Sequence, residues 1–231
     1  MNDISGAARG PRVEDERLVR GLGRFMEDAK PHNAAYAVFV RSPHAFARIV
    51  SVATDEARRA PGVLAVLTAA DMAGVGNVSR HPPMTGRNGA KLVQTNRPAL
   101  ATERVLHIGQ PVAAVIATTH TQAQDAAELV EVEYEPLDPV TDVRAAARPG
   151  APQLWPEAPG NVALDWPGPV ADEDGAKARQ VDEAIAGAAH VARITSVNQR
   201  IMVASMEPRG ASASYNPVSY THLTLPTILR V

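Results

Sequence analysis

Glu207 and Arg209 set opposite charges on either side of Pro208. A carboxylate becomes a useful base where a closed cleft perturbs its pKa. At the open start of a strand the same two residues make a structural ion pair, which is the reading favoured here. Gln199 could reach a bound group, yet a glutamine at a strand end is ordinarily solvated. His44 follows Pro43, and a ligand role would need other donors converging on it. The other histidines (His32, His81, His107, His120, His190 and His222) are scattered, with no pair at helical or finger-like spacing. A structural or solvent-facing His44 is therefore expected, and no metal site. Cysteine is absent, which removes disulfides, thiolate metal sites and thiol nucleophiles together. Gly21-x-Gly23 is not a phosphate cradle, because no strand precedes it and no helix follows. Gly109-Gln110-Pro111 suits either the wall of a substrate channel or a tight turn into the strand that follows.

The rest of the composition bounds the partners. The chain has 231 residues, 45% hydrophobic and 21% charged, with a net charge of −2. These values fit one large folded domain or two modest ones. With no long basic run, a nucleic-acid or anionic-membrane partner is disfavoured. No stretch approaches the roughly 18 apolar residues of a membrane span, and the N-terminus lacks an apolar signal region. A cytoplasmic protein is expected.

The elements that position these residues follow from periodicity. Residues 1–17 read as a disordered polar lead. Ala34–Val40 is a short apolar, aromatic and β-branched strand. Ser42-Pro43-His44 turns the chain, and Ala47–Ala53 alternates as a second strand. Thr54 is positioned to cap a helix through Ala60, which Pro61-Gly62 ends. Val63–Leu67 is a third strand, and Ala69–Met72 a single helical turn. Residues 73–98 are broken by glycine and proline and should be irregular and mostly exposed. Val112–Ala117 is wholly apolar and should be a central, buried strand. Thr121 can cap a helix over 122–129, and Val130–Tyr134 alternates as a half-exposed strand. Whether the strands flanking this helix pair in parallel stays open. Proline and glycine mark 141–160 as a linker. Beyond it come a strand over 161–166, an amphipathic helix over 176–188, and strands over 190–197 and 210–215.

Several phrases stand in the order found in a known family. Gly21-Leu22-Gly23-Arg24-Phe25 with Glu27-Asp28 is similar to its opening phrase. Val40–Ile49 resembles its "RSPHAHARI" strand-turn-strand, with Phe46 where a second histidine is more usual. Pro61-Gly62-Val63 and Thr68-Ala69-Ala70-Asp71 follow. Gly109–Ala113, Ala123–Ala127 and Val132–Leu137 match its next strand-helix-strand. Pro159-Gly160-Asn161-Val162 and Met206-Glu207-Pro208-Arg209 resemble the start of its cofactor-binding region. Across residues 18–215 the chain thus resembles the large, molybdopterin-binding subunit of the molybdenum hydroxylases: the xanthine dehydrogenase, aldehyde oxidase and aerobic carbon monoxide dehydrogenase family. Asn198-Gln199-Arg200 and the "MEPR" phrase look most like the carbon monoxide dehydrogenase type.

The resemblance implies an α/β (α+β) architecture: an a/b hammerhead domain over 18–140, the 141–160 linker, and an incomplete molybdopterin-binding domain over 161–216. It implies a molybdenum cofactor in the intact subunit, and oxidative hydroxylation of an aldehyde, an N-heterocycle or carbon monoxide. The implied partners are an iron–sulfur small subunit and an FAD-binding medium subunit. Gln199, Glu207 and Arg209 become the cofactor-binding candidates. The family's Gly-rich cofactor loops and catalytic glutamate have no match here, so the chain alone is expected to be inactive and to bind no cofactor. Residues 217–231 depart from the family pattern and resemble translated adapter read-through; they are expected to be non-native and outside the fold. The alternative is a stand-alone hammerhead module that docks iron–sulfur or flavin subunits. Substrate, oligomeric state and electron acceptor are left open by the sequence.

Overall fold

The apolar run before Thr118 becomes the middle strand of a sheet. In the computed structural model, β1 (Tyr36–Arg41), β2 (Ala47–Ala53), β3 (Val63–Leu67), β4 (Arg104–Val105), β5 (Pro111–Ala117) and β6 (Glu131–Pro136) form two three-stranded sheets, ordered β1-β5-β3 and β4-β2-β6. The structure describes residues 12–28, 31–77, 84–168, 175–197, 210–216 and 220–224. The chain divides into two units, Ala35–Arg193 and Met1–Ala34 with Ile194–Val231. Every pairing in both sheets is antiparallel. β5 and β6 lie in different sheets, so the open question of parallel pairing is settled against it. Antiparallel strands usually alternate in polarity, whereas β5 is apolar throughout because neither of its faces is free.

One face of β5 packs Ala113 and Val115 against Val66 of β3 and against α2 (Asp55–Arg59) and α3 (His120–Glu128) through Ala57 and Ala126. The other face sets Val112 against Ala47 and Val105 of the second sheet. Val52 and Val132 pack against both clusters and join them. Phe46, where the family more often has histidine, is buried.

Several local expectations need correction. The cap of α3 is Thr119, not Thr121: its Oγ1 accepts from Gln122 N at 3.2 Å, and the helix starts at His120. Thr54 precedes α2, but its hydroxyl accepts from Arg58 Nε rather than capping a backbone N–H. Ala69–Met72 is a run of turns, not a helix. Residues 161–166 form no strand; a 3-10 turn, Pro159–Asn161, opens them. Residues 190–197 are irregular and exposed. Within 141–160 the structure holds α4 (Val143–Ala146), capped by Asp142. α5 (Ala176–Ala186) forms as expected, but none of its residues is buried. The described part of 73–98 is irregular apart from one 3-10 turn, Arg87–Gly89, and an isolated bridge between Asn77 and Pro98.

In the other unit, α1 (Asp15–Val19) begins inside the expected lead. β7 (Ser212–Asn216) pairs with β8 (Tyr220–Thr224) from Ser212↔Thr224 to Asn216↔Tyr220. The tail thus supplies a partner strand, which its irregular spacing of apolar residues did not suggest.

Candidate functional site

The phrases singled out by sequence meet at the corners of the sheets. Ser42 N donates to Gln110 O at 2.9 Å, and Gly109 N returns a bond to Ser42 O at 2.8 Å. Arg41 Nη1 donates to Gly109 O at 2.9 Å, and Leu106 N donates to Gln110 Oε1 at 2.6 Å. Gly109 holds φ +81°, a left-handed conformation that glycine adopts without steric cost. The Gly-Gln-Pro phrase is therefore a tight turn into β5, locked to the Ser-Pro-His turn.

Ser42 is buried, and its hydroxyl accepts from His44 N at 3.0 Å and donates to His44 O at 3.1 Å. Burial pushes the Tyr134 phenol above the usual tyrosine pKa, and the nearby Ser42 hydroxyl pulls it back. The His44 ring packs on Tyr134 with centroids 4.9 Å apart and the planes tilted by 58°. Periodicity placed Tyr134 on a strand but carried no hint of this contact, because β2 and β6 first have to pair Ile49 with Tyr134.

A second corner holds Thr68-x-x-Asp71. Asp71 Oδ2 accepts from Thr68 N at 2.7 Å and from Thr68 Oγ1 at 2.9 Å, and Asp71 N donates to Thr68 O. The Thr68 backbone bond, then its hydroxyl, hold the Asp71 carboxyl below its ordinary pKa; a weaker attraction comes from Arg58.

These arrangements brace turns. Among the described residues no three histidine, aspartate or glutamate side chains converge as a metal site, and no buried side-chain N or O lacks a partner. Gln199, Glu207 and Arg209 lie outside the described residues.

These corners lie within a stretch that matches a known domain family. Residues 20–138 match the model of the aldehyde oxidase and xanthine dehydrogenase a/b hammerhead domain. The chain belongs to the aldehyde oxidase and xanthine dehydrogenase family. It is 45% identical over 143 residues to the carbon monoxide dehydrogenase large chain of Afipia carboxidovorans, covering 62% of this chain and 17% of that one. It is 35% identical over 211 residues to the nicotine 6-hydroxylase large subunit of Paenarthrobacter nicotinovorans, covering 90% and 24%. The solved quinoline 2-oxidoreductase of Pseudomonas putida 86 superposes with a TM-score of 0.71 at 31% identity, covering 93% of this chain and 25% of that one. The chain spans a quarter or less of the length of these relatives. The expected hammerhead architecture is thus borne out. No helix among the described residues is long and apolar enough to cross a membrane.

Proposed function

We propose that this chain is the leading part of a molybdenum-cofactor-dependent oxidoreductase subunit, and that the whole protein oxidatively hydroxylates an aldehyde, an N-heterocycle or carbon monoxide. The observation that carries the reading is the hammerhead match over residues 20–138. In this reading residues 18–140 are the scaffold, 141–160 connect it onward, and 161–216 open the molybdopterin-binding domain. Gln199, Glu207 and Arg209 are then the candidates for binding the cofactor. The hard chemistry belongs to the molybdenum group, and the polypeptide supplies placement and electrostatics. Electrons leave through an iron–sulfur small subunit and an FAD-binding medium subunit, and the assembly works in the cytoplasm.

Two measurements test this. Reading the gene past the codon for Tyr215 reveals Gly-rich cofactor loops if the proposal holds; a stop codon there favours the stand-alone docking module. Metal analysis of this chain purified alone should find no molybdenum, whereas the extended subunit should carry it. Stoichiometric molybdenum in the short chain, or none in the extended subunit matured with its partners, overturns the proposal.

A further inference from the structure

Two amide side chains tie the stretch after the hammerhead match into a knot. Gln153 Nε2 donates to the carbonyls of Trp155 at 2.7 Å and Ala158 at 2.6 Å, while its Oε1 accepts from Gly160 N at 3.2 Å. Asn161 Nδ2 donates to Ala146 O and Pro152 O, both at 2.9 Å, and its Oδ1 accepts from Leu154 N at 3.0 Å. Asn161 sits at φ +57°, a conformation asparagine tolerates better than most residues. Ala158 is buried within the knot.

The knot is clasped onto residues 86–96. Arg87 N donates to Asp165 O at 3.0 Å and Val93 N to Ala163 O at 2.9 Å. Asn96 N donates to Glu157 Oε1 at 3.1 Å, and Arg87 Nε approaches Asp165 Oδ2 at 3.1 Å. Gly86 lies buried at this contact; a Cβ there would come within 2.8 Å of Leu164 Cδ1 and 3.0 Å of Asp165 O. The second of these is backbone and cannot swing aside.

We propose that residues 142–165 are a latch: a knot tied by Gln153 and Asn161 that closes on residues 86–96 and fixes where the chain leaves the hammerhead sheets. The latch opens as one unit, separately from the core. The members of both hydrophobic clusters lie between Val40 and Tyr134, whereas the latch is held mainly by polar contacts, many of them exposed. Units of that kind open at lower free energy than the core around them.

Amide hydrogen exchange on the full chain tests this with three variants. Asn161→Asp keeps the acceptor and loses both donated bonds. Asn161→Gly keeps the positive φ and loses the amide without adding charge. Gly86→Val wedges the clasp from the opposite side. In all three, the amides of Arg87, Val93 and Leu154 should exchange faster together, by about ten-fold or more, while β5 amides keep wild-type protection. The proposal is overturned if Gly86→Val frees Arg87 and Val93 but leaves Leu154 protected. It is also overturned if β5 loses protection in step with the latch.

Discussion

Asp71 shows how one carboxylate can hold a corner without being buried. Its depressed pKa comes first from the backbone N–H of Thr68, then from the Thr68 hydroxyl. Those bonds favour the ionised form, so the stability they contribute is present above the ordinary aspartate value of 3.8 and is lost as pH falls through the lower folded value. Asp71→Asn should remove that acid-side dependence and bring stability at neutral pH down towards the value the wild type has in acid. Parallel denaturant titrations between pH 2 and pH 7 check it, and identical pH slopes for the two proteins would refute it. Gly62 makes the opposite case, a residue defined by what cannot replace it. It holds φ +78°, and a Cβ there would collide with the Gln122 side chain, which accepts bonds from Thr118 and Thr119. Gly62→Ala should cost about 2–3 kcal/mol, from backbone strain plus the displaced hydrogen bonds, read as a lower urea midpoint. At this scale the sequence was informative where a residue's role is local. Pro61-Gly62 marked a turn, and His44, expected to be structural or solvent-facing, packs on Tyr134. The His44–Tyr134 contact was not legible, because it depends on the register of strands far apart in the chain.

The hammerhead strands were legible in proportion to how much apolar surface they bury. β2 and β3 fall on the expected residues, and β5 differs only in including Pro111. Alternation on a strand is enforced by packing, and all three strands contribute side chains to the cores. Helix starts were read less well, because neighbouring threonines compete to cap. Thr119 takes the extended conformation a cap requires, leaving Thr121 inside α3. Thr119→Ala should therefore cost about 1 kcal/mol, and Thr121→Ala close to nothing; chemical denaturation of the pair decides between the two caps. The strands expected at 161–166 and 190–197 are absent because the first segment bonds to a loop, not to a strand, and the second buries no face. Burial likewise grades the strands themselves. Val115 is fully buried between β1 and β3, whereas Leu64 is 60% exposed. Val115→Ala should lose about 2–3 kcal/mol, two methyl groups plus the cavity they leave. Leu64→Ala should lose well under 1 kcal/mol. Comparable losses at both positions would contradict the placement of the core.

At the scale of the whole molecule, the strand-helix-strand unit misleads any reading based on one sheet. α3 carries the chain from β5 in one sheet to β6 in the other, and nothing in the local pattern separates that jump from a parallel crossover. The two cores share the side chains of Val52 and Val132, a contact that periodicity cannot count. The same accounting fixes what the chain's last residues can contribute. β8 pairs with β7, yet no described residue after Tyr134 belongs to either cluster. A two-stranded hairpin has little independent stability in water. Deleting residues 217–231 removes β7's partner strand and leaves the two clusters intact. The main unfolding transition of the truncated chain should therefore coincide with that of the full chain in scanning calorimetry. Solubility should rise, because the removed segment is apolar and carries Arg230 as its only permanently charged side chain. For a chain of this size, a fall in Tm of more than about 4 °C would mean a loss on the order of 1–2 kcal/mol. A fall that large would show that the β7–β8 hairpin stabilises the hammerhead sheets, and residues 217–231 would have to be counted as part of the fold.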